Sequence, residues 1–223
     1  MIVAKRKPLA EIAANLKKVN KLLIVGCNTC VAVCLAGGEK EVAMLASALR
    51  LALRPTNPNL QITERSVERQ CEEEFNAVLA QDIAEHEVVL SMACGVGVQT
   101  LAEQFPSAIV YPALDTTFMG RPEERGIWSE RCAGCGQCVL DKFGGICPIT
   151  RCSKNLLNGP CGGSENGKCE VDPQNIDCAW QLIYDRLKRI GQLERLLEIE
   201  PPKDWSKSRH GGPRKIVRED MVL

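Results

Sequence analysis

The sequence has few aromatic residues, no excess charge and almost no histidine. Aromatics make up 4 % of its 223 residues, which argues against a surface that binds by stacking rings. Twenty-eight Lys and Arg balance 28 Asp and Glu. A polyanion-binding chain carries a basic excess, so nucleic acid is not an expected partner. No apolar run reaches the roughly 18 residues of a membrane span. The charged stretch Met1–Pro8 is not followed by the apolar core of a secretory signal, so a cytoplasmic location is expected. There is no P-loop, no G-x-S-x-G and no H-E-x-x-H. His86 and His210 are the only histidines. His86 lies in a polar run before an apolar segment and reads as a surface residue rather than a base. The chain is short of acid–base chemistry.

What it has in abundance is cysteine, 13 residues. An odd count suits a closed disulfide framework poorly, and a reducing compartment does not favour one. Exposed thiolates left free there oxidise. Metal ligation is the physical reading that accounts for so many thiols.

Their distribution divides the chain. Cys27, Cys30, Cys34, Cys71 and Cys94 fall in the first 131 residues; Cys132, Cys135, Cys138, Cys147, Cys152, Cys161, Cys169 and Cys178 crowd between 132 and 178. The polar stretch Gly120–Gly126, with Gly and Pro, reads as a boundary loop. The expected layout is an α/β domain over 1–122, a cysteine-rich module with a closing helix over 123–200, and an extended arm over 201–223.

The first region alternates short apolar runs with helical repeats. Lys21–Gly26, Leu60–Val67, Glu87–Met92 and Ala108–Tyr111 read as strands. Between them, Glu39–Leu53 repeats Val42, Leu45, Leu49 and Leu53 at helical spacing; Glu72–Ile83 and Val98–Phe105 also suit helices. This β-α-β-α-β-α-β order predicts an open, mostly parallel sheet of the Rossmann or flavodoxin kind, with helices on both faces. In the tail, Ala179–Leu197 has helical periodicity broken at Gly191 and stopped by Pro201-Pro202. Residues 203–223 carry six Lys/Arg against three Asp/Glu and read as the arm.

In the second region, Cys132, Cys135 and Cys138 form C-x2-C-x2-C, the ligand loop of a ferredoxin. Gly134 and Gly136 let that backbone bend tightly and turn its amides toward cluster sulfurs. Cys147 precedes Pro148. In bacterial ferredoxins the Cys-Pro cysteine serves the other cluster of a pair, but here eight residues rather than three separate it from Cys138, so its membership stays open. Cys152, Cys161, Cys169 and Cys178 complete the set. Eight thiolates make two four-cysteine sites, read as two [4Fe–4S] clusters in a ferredoxin-like module. Zinc in tetrahedral all-cysteine sites is the alternative, although a second C-x2-C pair is missing.

The five earlier thiols suggest a third cluster. Cys27, Cys30 and Cys34 follow the first strand, Cys71 the second and Cys94 the third. All lie at the carboxyl edge of a parallel sheet, where such folds place their ligands. Four of the five suffice. Buried packing of a single Cys and a dithiol redox pair at Cys27 and Cys30 are the competing readings. Gly95-x-Gly97 begins a dinucleotide fingerprint, but Thr100 stands where its third glycine belongs.

Several segments resemble a known family: Cys-Val-Ala-Val-Cys-Leu-Ala-Gly-Gly-Glu-Lys-Glu-Val (30–42), Arg-Gln-Cys-Glu (69–72), Ala-Cys-Gly-Val-Gly-Val-Gln (93–99), Gly-Gly-Ile-Cys-Pro (144–148), Asn-Gly-Pro-Cys-Gly-Gly (158–163) and Gly-Lys-Cys-Glu-Val (167–171). They are similar to MetV, the small subunit of bacterial methylenetetrahydrofolate reductase, and residues 125 to about 215 resemble its C-terminal module. The resemblance implies a partner of the MetF type that holds FMN and the folate site. It implies that this chain carries electrons to that FMN from a donor, either ferredoxin or an NADH- or Hdr-linked subunit. It also implies one-carbon metabolism of the Wood–Ljungdahl kind in an anaerobe, with no catalytic residue on this chain.

Overall fold

The computed structural model describes residues 1–221; the last two positions of the expected arm lie outside them. The chain forms two compact units, Met1–Ser129 and Glu130–Leu223. The first contains β1 (Ile2–Arg6), α1 (Leu9–Asn15), β2 (Lys21–Cys27), α2 (Cys30–Val33), α3 (Glu39–Leu53), β3 (Gln61–Val67), α4 (Glu73–Asn76), α5 (Ala80–Glu85), β4 (Val88–Met92), α6 (Gly95–Gln104), β5 (Val110–Pro112) and β6 (Leu114–Glu124). The strand β7 (Ile127–Cys132) runs from the first unit into the second.

The expected parallel sheet is present, in the order β3-β2-β4-β5. β2 pairs with β3 from Lys21–Gln61 to Cys27–Val67, and with β4 from Leu22–Val88 to Gly26–Met92. β2 is central and buried on both sides, which is why it reads as one unbroken apolar run. Its side chains alternate between two cores. Leu22 and Ile24 join Leu45 and Leu49 of α3 and Ile12 of α1, while Leu23 and Val25 join Ile83 of α5 and Leu101 of α6.

A second, antiparallel sheet, β1-β6-β7, was not expected from sequence. β1 runs against β6 from Ile2–Met119 to Arg6–Leu114, with a bulge between Val3 and Ala4. The stretch Gly120–Gly126, read as a boundary loop, is instead the far end of β6 and its turn into β7. β6 is exposed along most of its length, so it lacks the apolar alternation that marks a half-buried strand. Pro122 is tolerated there because it lies beyond Met119, where the register with β1 ends.

The second unit is built differently. Past β7, its β pairing among the described residues consists of isolated bridges, Glu165–Lys168 and Lys168–Asp177. The likeness to a ferredoxin is therefore one of ligand spacing and not of sheet. Its helices are α7 (Pro148–Arg151) and α8 (Ala179–Arg189). Gly191, at φ +69°, ends the helical repeat, and a 3-10 turn takes over at Leu193–Leu197. Phe143, Cys178, Trp180, Ile183 and Leu187 form a small core. The rings of Phe143 and Trp180 meet edge to face at 5.3 Å, and the Trp180 indole donates to Leu156 O.

Residues 201–221 are not a simple extended arm. Trp205–Lys207 and Arg209–Gly211 are 3-10 turns capped by Asp204 and Ser208. Lys203 Nζ donates to Gln137 O at 2.9 Å, and Arg214 Nη1 donates to Gly134 O at 2.9 Å and Lys207 O at 3.0 Å. The segment is anchored on the C-x2-C-x2-C loop. Its polar composition gave no hint, because the anchoring is made by cations on backbone carbonyls rather than by apolar burial.

One glycine holds the loop after α2 against the sheet. A Cβ on Gly37 would lie 1.9 Å from Met92 O and 2.9 Å from a Val31 methyl, and Gly37 O accepts from Cys27 N. Gly37→Ala should therefore cost about 1–3 kcal/mol. A urea melt of the full chain should show an earlier transition for that variant, and an unchanged midpoint would refute the close approach.

Candidate metal centres

Four of the eight later cysteines share one cavity. Cys152, Cys161, Cys169 and Cys178 all line it, together with Arg151 and Lys154. Local structure fixes each of them. Cys152 ends α7, with its amide on Pro148 O. Cys161 lies in the Gly159–Gly163 loop, whose Gly159 has φ +101°. Cys169 N donates to Ile176 O and Cys178 N to Gly167 O, which closes a short loop between the two. Cys178 is also the N-cap of α8, so the positive end of that helix dipole lies beside the cavity. The Ser153 hydroxyl is 3.3 Å from Cys169 Sγ. That hydrogen bond, with the backbone amide of Val171, holds the Cys169 thiol below its ordinary pKa and favours the thiolate that binds metal. Lys154 pairs with Glu170 at the same place, and the Glu170 carboxylate folds over Gly163, where a Cβ would have to displace it.

The remaining four are Cys132, Cys135, Cys138 and Cys147. Gly134 (φ +60°) and Gly136 (φ +79°) adopt the left-handed backbone that the tight loop requires. Gly134 N points at Cys132 Sγ at 3.4 Å. Burial pushes the Cys135 thiol up, but hydrogen bonding at Gln137 and the Lys203 ammonium outweigh it, leaving the thiol lower than usual. Cys147 is the N-cap of α7. The hydroxyl of Thr150, in the same helix, donates to Arg131 O, immediately before Cys132. α7 is thereby tied through Thr150 to the residue that precedes the C-x2-C-x2-C loop, and it ends at the four-cysteine cavity.

In the first unit, the loops after β2, β3 and β4 meet at the carboxyl edge. Asn28 N donates to Val67 O and Glu68 O, and Thr29 Oγ1 to Glu68 O. Cys71 is exposed as a residue, but partial desolvation of its sulfur pushes the thiol up, and the nearby thiols of Cys27 and Cys94 push it further. Cys30 begins α2 and is half-buried. Cys34 sits elsewhere, in the hydrophobic core with Val3, Ala4 and Val31.

Sequence reasoning missed Gln70. Its side chain is fully buried. The amide nitrogen donates to Val25 O (2.9 Å) and Gly26 O (3.1 Å), and its oxygen accepts from Ser91 Oγ (2.6 Å). Asn76 Nδ2 donates to Gln70 O. A glutamine beside a candidate ligand carries no signal in one sequence; only the topology shows what it ties. Gly97, read as part of a dinucleotide fingerprint, has a packing role: a Cβ there would meet Ala93 Cβ at 2.8 Å and Gln70 Cβ at 2.9 Å. His86 is half-buried, with Nδ1 against Asp82 O and Nε2 against Thr63 Oγ1.

All thirteen cysteines are free thiols. Among the described residues, no three Cys, His, Asp or Glu side chains are gathered tightly enough to hold a single metal ion as they stand. No described helix is long and apolar enough to cross a membrane. Residues 111–206 match the family described as "Methylene-tetrahydrofolate reductase C terminal". The match takes in all eight cysteines of the second unit and none of the five in the first. No curated protein and no solved structure matches the chain.

The thiol environments make a testable order. In the chain prepared free of metal, Cys169 should be alkylated with a pH midpoint below the ordinary thiol value and Cys71 with one above it. The sign follows from the lowered pKa of the first and the raised pKa of the second. Mass mapping of iodoacetamide adducts against pH checks it, and coincident midpoints would contradict it.

Proposed function

We propose that this chain is the electron-transfer subunit of a methylenetetrahydrofolate reductase. Its second unit would hold two [4Fe–4S] clusters and feed the FMN of a MetF-type partner that reduces 5,10-methylenetetrahydrofolate to 5-methyltetrahydrofolate. The observation that carries this reading is the convergence of Cys152, Cys161, Cys169 and Cys178 on one cavity, inside the segment that matches the reductase family. The donor set fits the cofactor: eight free thiols and no histidine between 132 and 178. Four-cysteine ligation is the usual holder of such clusters.

When bound, such clusters supply one-electron carriers whose potentials depend on burial and on hydrogen bonds to sulfur. This chain's residues provide both controls. The ligand set of one cluster is then Cys152, Cys161, Cys169 and Cys178. Cys147 is left to join Cys132, Cys135 and Cys138, which agrees with the Thr150–Arg131 bond. Arg151 and the Lys154–Glu170 ion pair line the cavity of the first set. The Gly134 amide and the Lys203 ammonium attend the second. Cys132 and Cys138 are exposed while Cys178 is buried, so the two sites differ in their contact with water.

A cavity of about 540 Å³ adjoins the four-cysteine site, sharing Cys161, Cys178 and Trp180 with it. It opens a wall of that site to a partner group. On this reading the folate and flavin chemistry belongs to the partner, and this chain holds the electrons' path, with Trp180 as the apolar wall common to both cavities.

The test is metal analysis and electron delivery in the anoxically purified full chain. Cys161→Ser should remove about four iron and four sulfide per chain and slow reduction of the partner flavin at least tenfold. Unchanged iron in that variant, or stoichiometric zinc with little iron in the parent chain, would overturn the proposal. Removing residues 203–223 should leave the folded core intact but speed the loss of iron in air, because Lys203 and Arg214 no longer brace the C-x2-C-x2-C loop. Equal rates of bleaching at about 420 nm would show that the anchoring has no such role.

A further inference from the structure

We propose that Cys27, Cys30, Cys71 and Cys94 bind a third [4Fe–4S] cluster at the carboxyl edge of the parallel sheet, and that Cys34 is a packing residue and not a ligand. This site lies wholly in the first unit, outside the segment that matches the reductase family, and it stands independently of the assignments in the second unit.

Topology brings the thiols together. β2, β3 and β4 are adjacent and parallel, so the loops that leave their carboxyl ends open on one side. Cys27 closes β2, Cys71 lies four residues past β3, and Cys94 lies two past β4. Gly97, three residues past Cys94, lies so close to Gln70 that a Cβ there would be 2.9 Å from the Gln70 Cβ, which draws the loops of Cys71 and Cys94 together. Hydrogen bonds from Asn28 and Thr29 to residues 67 and 68 lock the first two loops together. Gln70, immediately before Cys71, reaches across to two carbonyls of β2 and to Ser91 of β4. Its buried amide leaves the neighbouring Cys71 little freedom in its backbone.

A fourth ligand must come from Cys30 or Cys34. Cys34 is 5 % exposed, and its sulfur is already engaged. It accepts from Ala4 N at 3.5 Å and faces Ala4 O at 3.7 Å and Val31 O at 3.5 Å. Cys30 is half-buried, and two residues separate it from Cys27, the C-x2-C spacing that lets two thiolates share one cluster. Cys94 is the N-cap of α6, a helix of 10 residues, which adds partial positive charge beside a cluster whose ligands are thiolates. Each of the four thiols gives up its proton as its sulfur–iron bond forms; two ferrous ions, two ferric ions and four sulfides come from the assembly mixture, so the chain itself is neither oxidised nor reduced.

The competing reading as a Cys27–Cys30 dithiol leaves Cys71 and Cys94 without a role. It also leaves unexplained why a buried glutamine should hold the β3 loop against both neighbours. Gln70 is thus a positioning residue for the site.

The experiment measures iron, acid-labile sulfide and the Mössbauer spectrum of the anoxically purified full chain and four variants. The parent should hold about twelve iron. Cys71→Ser and Cys94→Ala should each fall by about a third, to eight, with loss of one cluster's worth of Mössbauer area. Cys34→Ala should keep all twelve. Cys161→Ser should also fall by a third but leave the first-unit signal in place. Parent-level iron in both Cys71→Ser and Cys94→Ala, or a loss in Cys34→Ala equal to theirs, overturns the assignment. So does zinc in place of iron in the first unit. Cys71 is exposed, so its serine variant leaves the core packing alone, and circular dichroism against the parent checks that it folds. If Cys161→Ser retains full iron while Cys94→Ala does not, the second-unit reading fails and this one stands.

Discussion

The side-chain amide of Gln70 connects three strand ends that would otherwise be joined only through loops. It satisfies two carbonyls at the end of β2 and the hydroxyl of Ser91 on β4, while its own backbone follows β3. A buried amide with all these partners is high in stake: removing it leaves several polar groups unpaired in a dry place, each costing about 1–3 kcal/mol. The close approach of Gly97 to Gln70 Cβ, and of Gly37 to Met92 O, follows from the same constraint. The edge of the sheet is drawn tight, and the cysteine loops grow out of that tight edge.

The second unit has no comparable framework. Its fully buried apolar side chains are few, it has no continuous sheet among the described residues beyond β7, and positive-φ glycines recur through its loops. Segments with so little apolar burial do not readily repay the entropy of ordering. Ligated metal supplies that difference in small domains. The salt bridges Lys154–Glu170 and Lys168–Asp177 are partly exposed and add little alone. On the proposed reading a bound cluster would add to the small core around Trp180 in this half, whereas the first half has two larger cores of its own.

Much of the first unit could be read directly. β2, β4, α3 and α6 announced themselves because burial on both faces or on one stripe leaves an unmistakable apolar period. β1, β6 and β7 did not, because their sheet is mostly solvated and its strands are held by backbone pairing that any composition can make. For the candidate sites, spacing was enough to group Cys132, Cys135 and Cys138. It was silent on the partnership of Cys152, Cys161, Cys169 and Cys178, whose separations of seven and eight residues match no short pattern. That grouping exists only once α7, α8 and the loops between them are folded. The separate placement of Cys34 was equally hidden: in sequence it is one more thiol in a row, and only the backbone of Ala4 marks it out.

Cys34 also ties together two parts of the first unit that have different strand geometry. Its sulfur joins the end of α2 to β1, a strand of the antiparallel sheet, while α2 begins at Cys30 on the parallel one. The four-residue helix acts as a short rigid strut with one end on each sheet. A shift of β1 along its partner β6 would be passed through that strut to Cys30 with almost nothing in between to absorb it. The antiparallel sheet thus has mechanical leverage on the loop that carries Cys30, a connection that composition and spacing alone would never disclose.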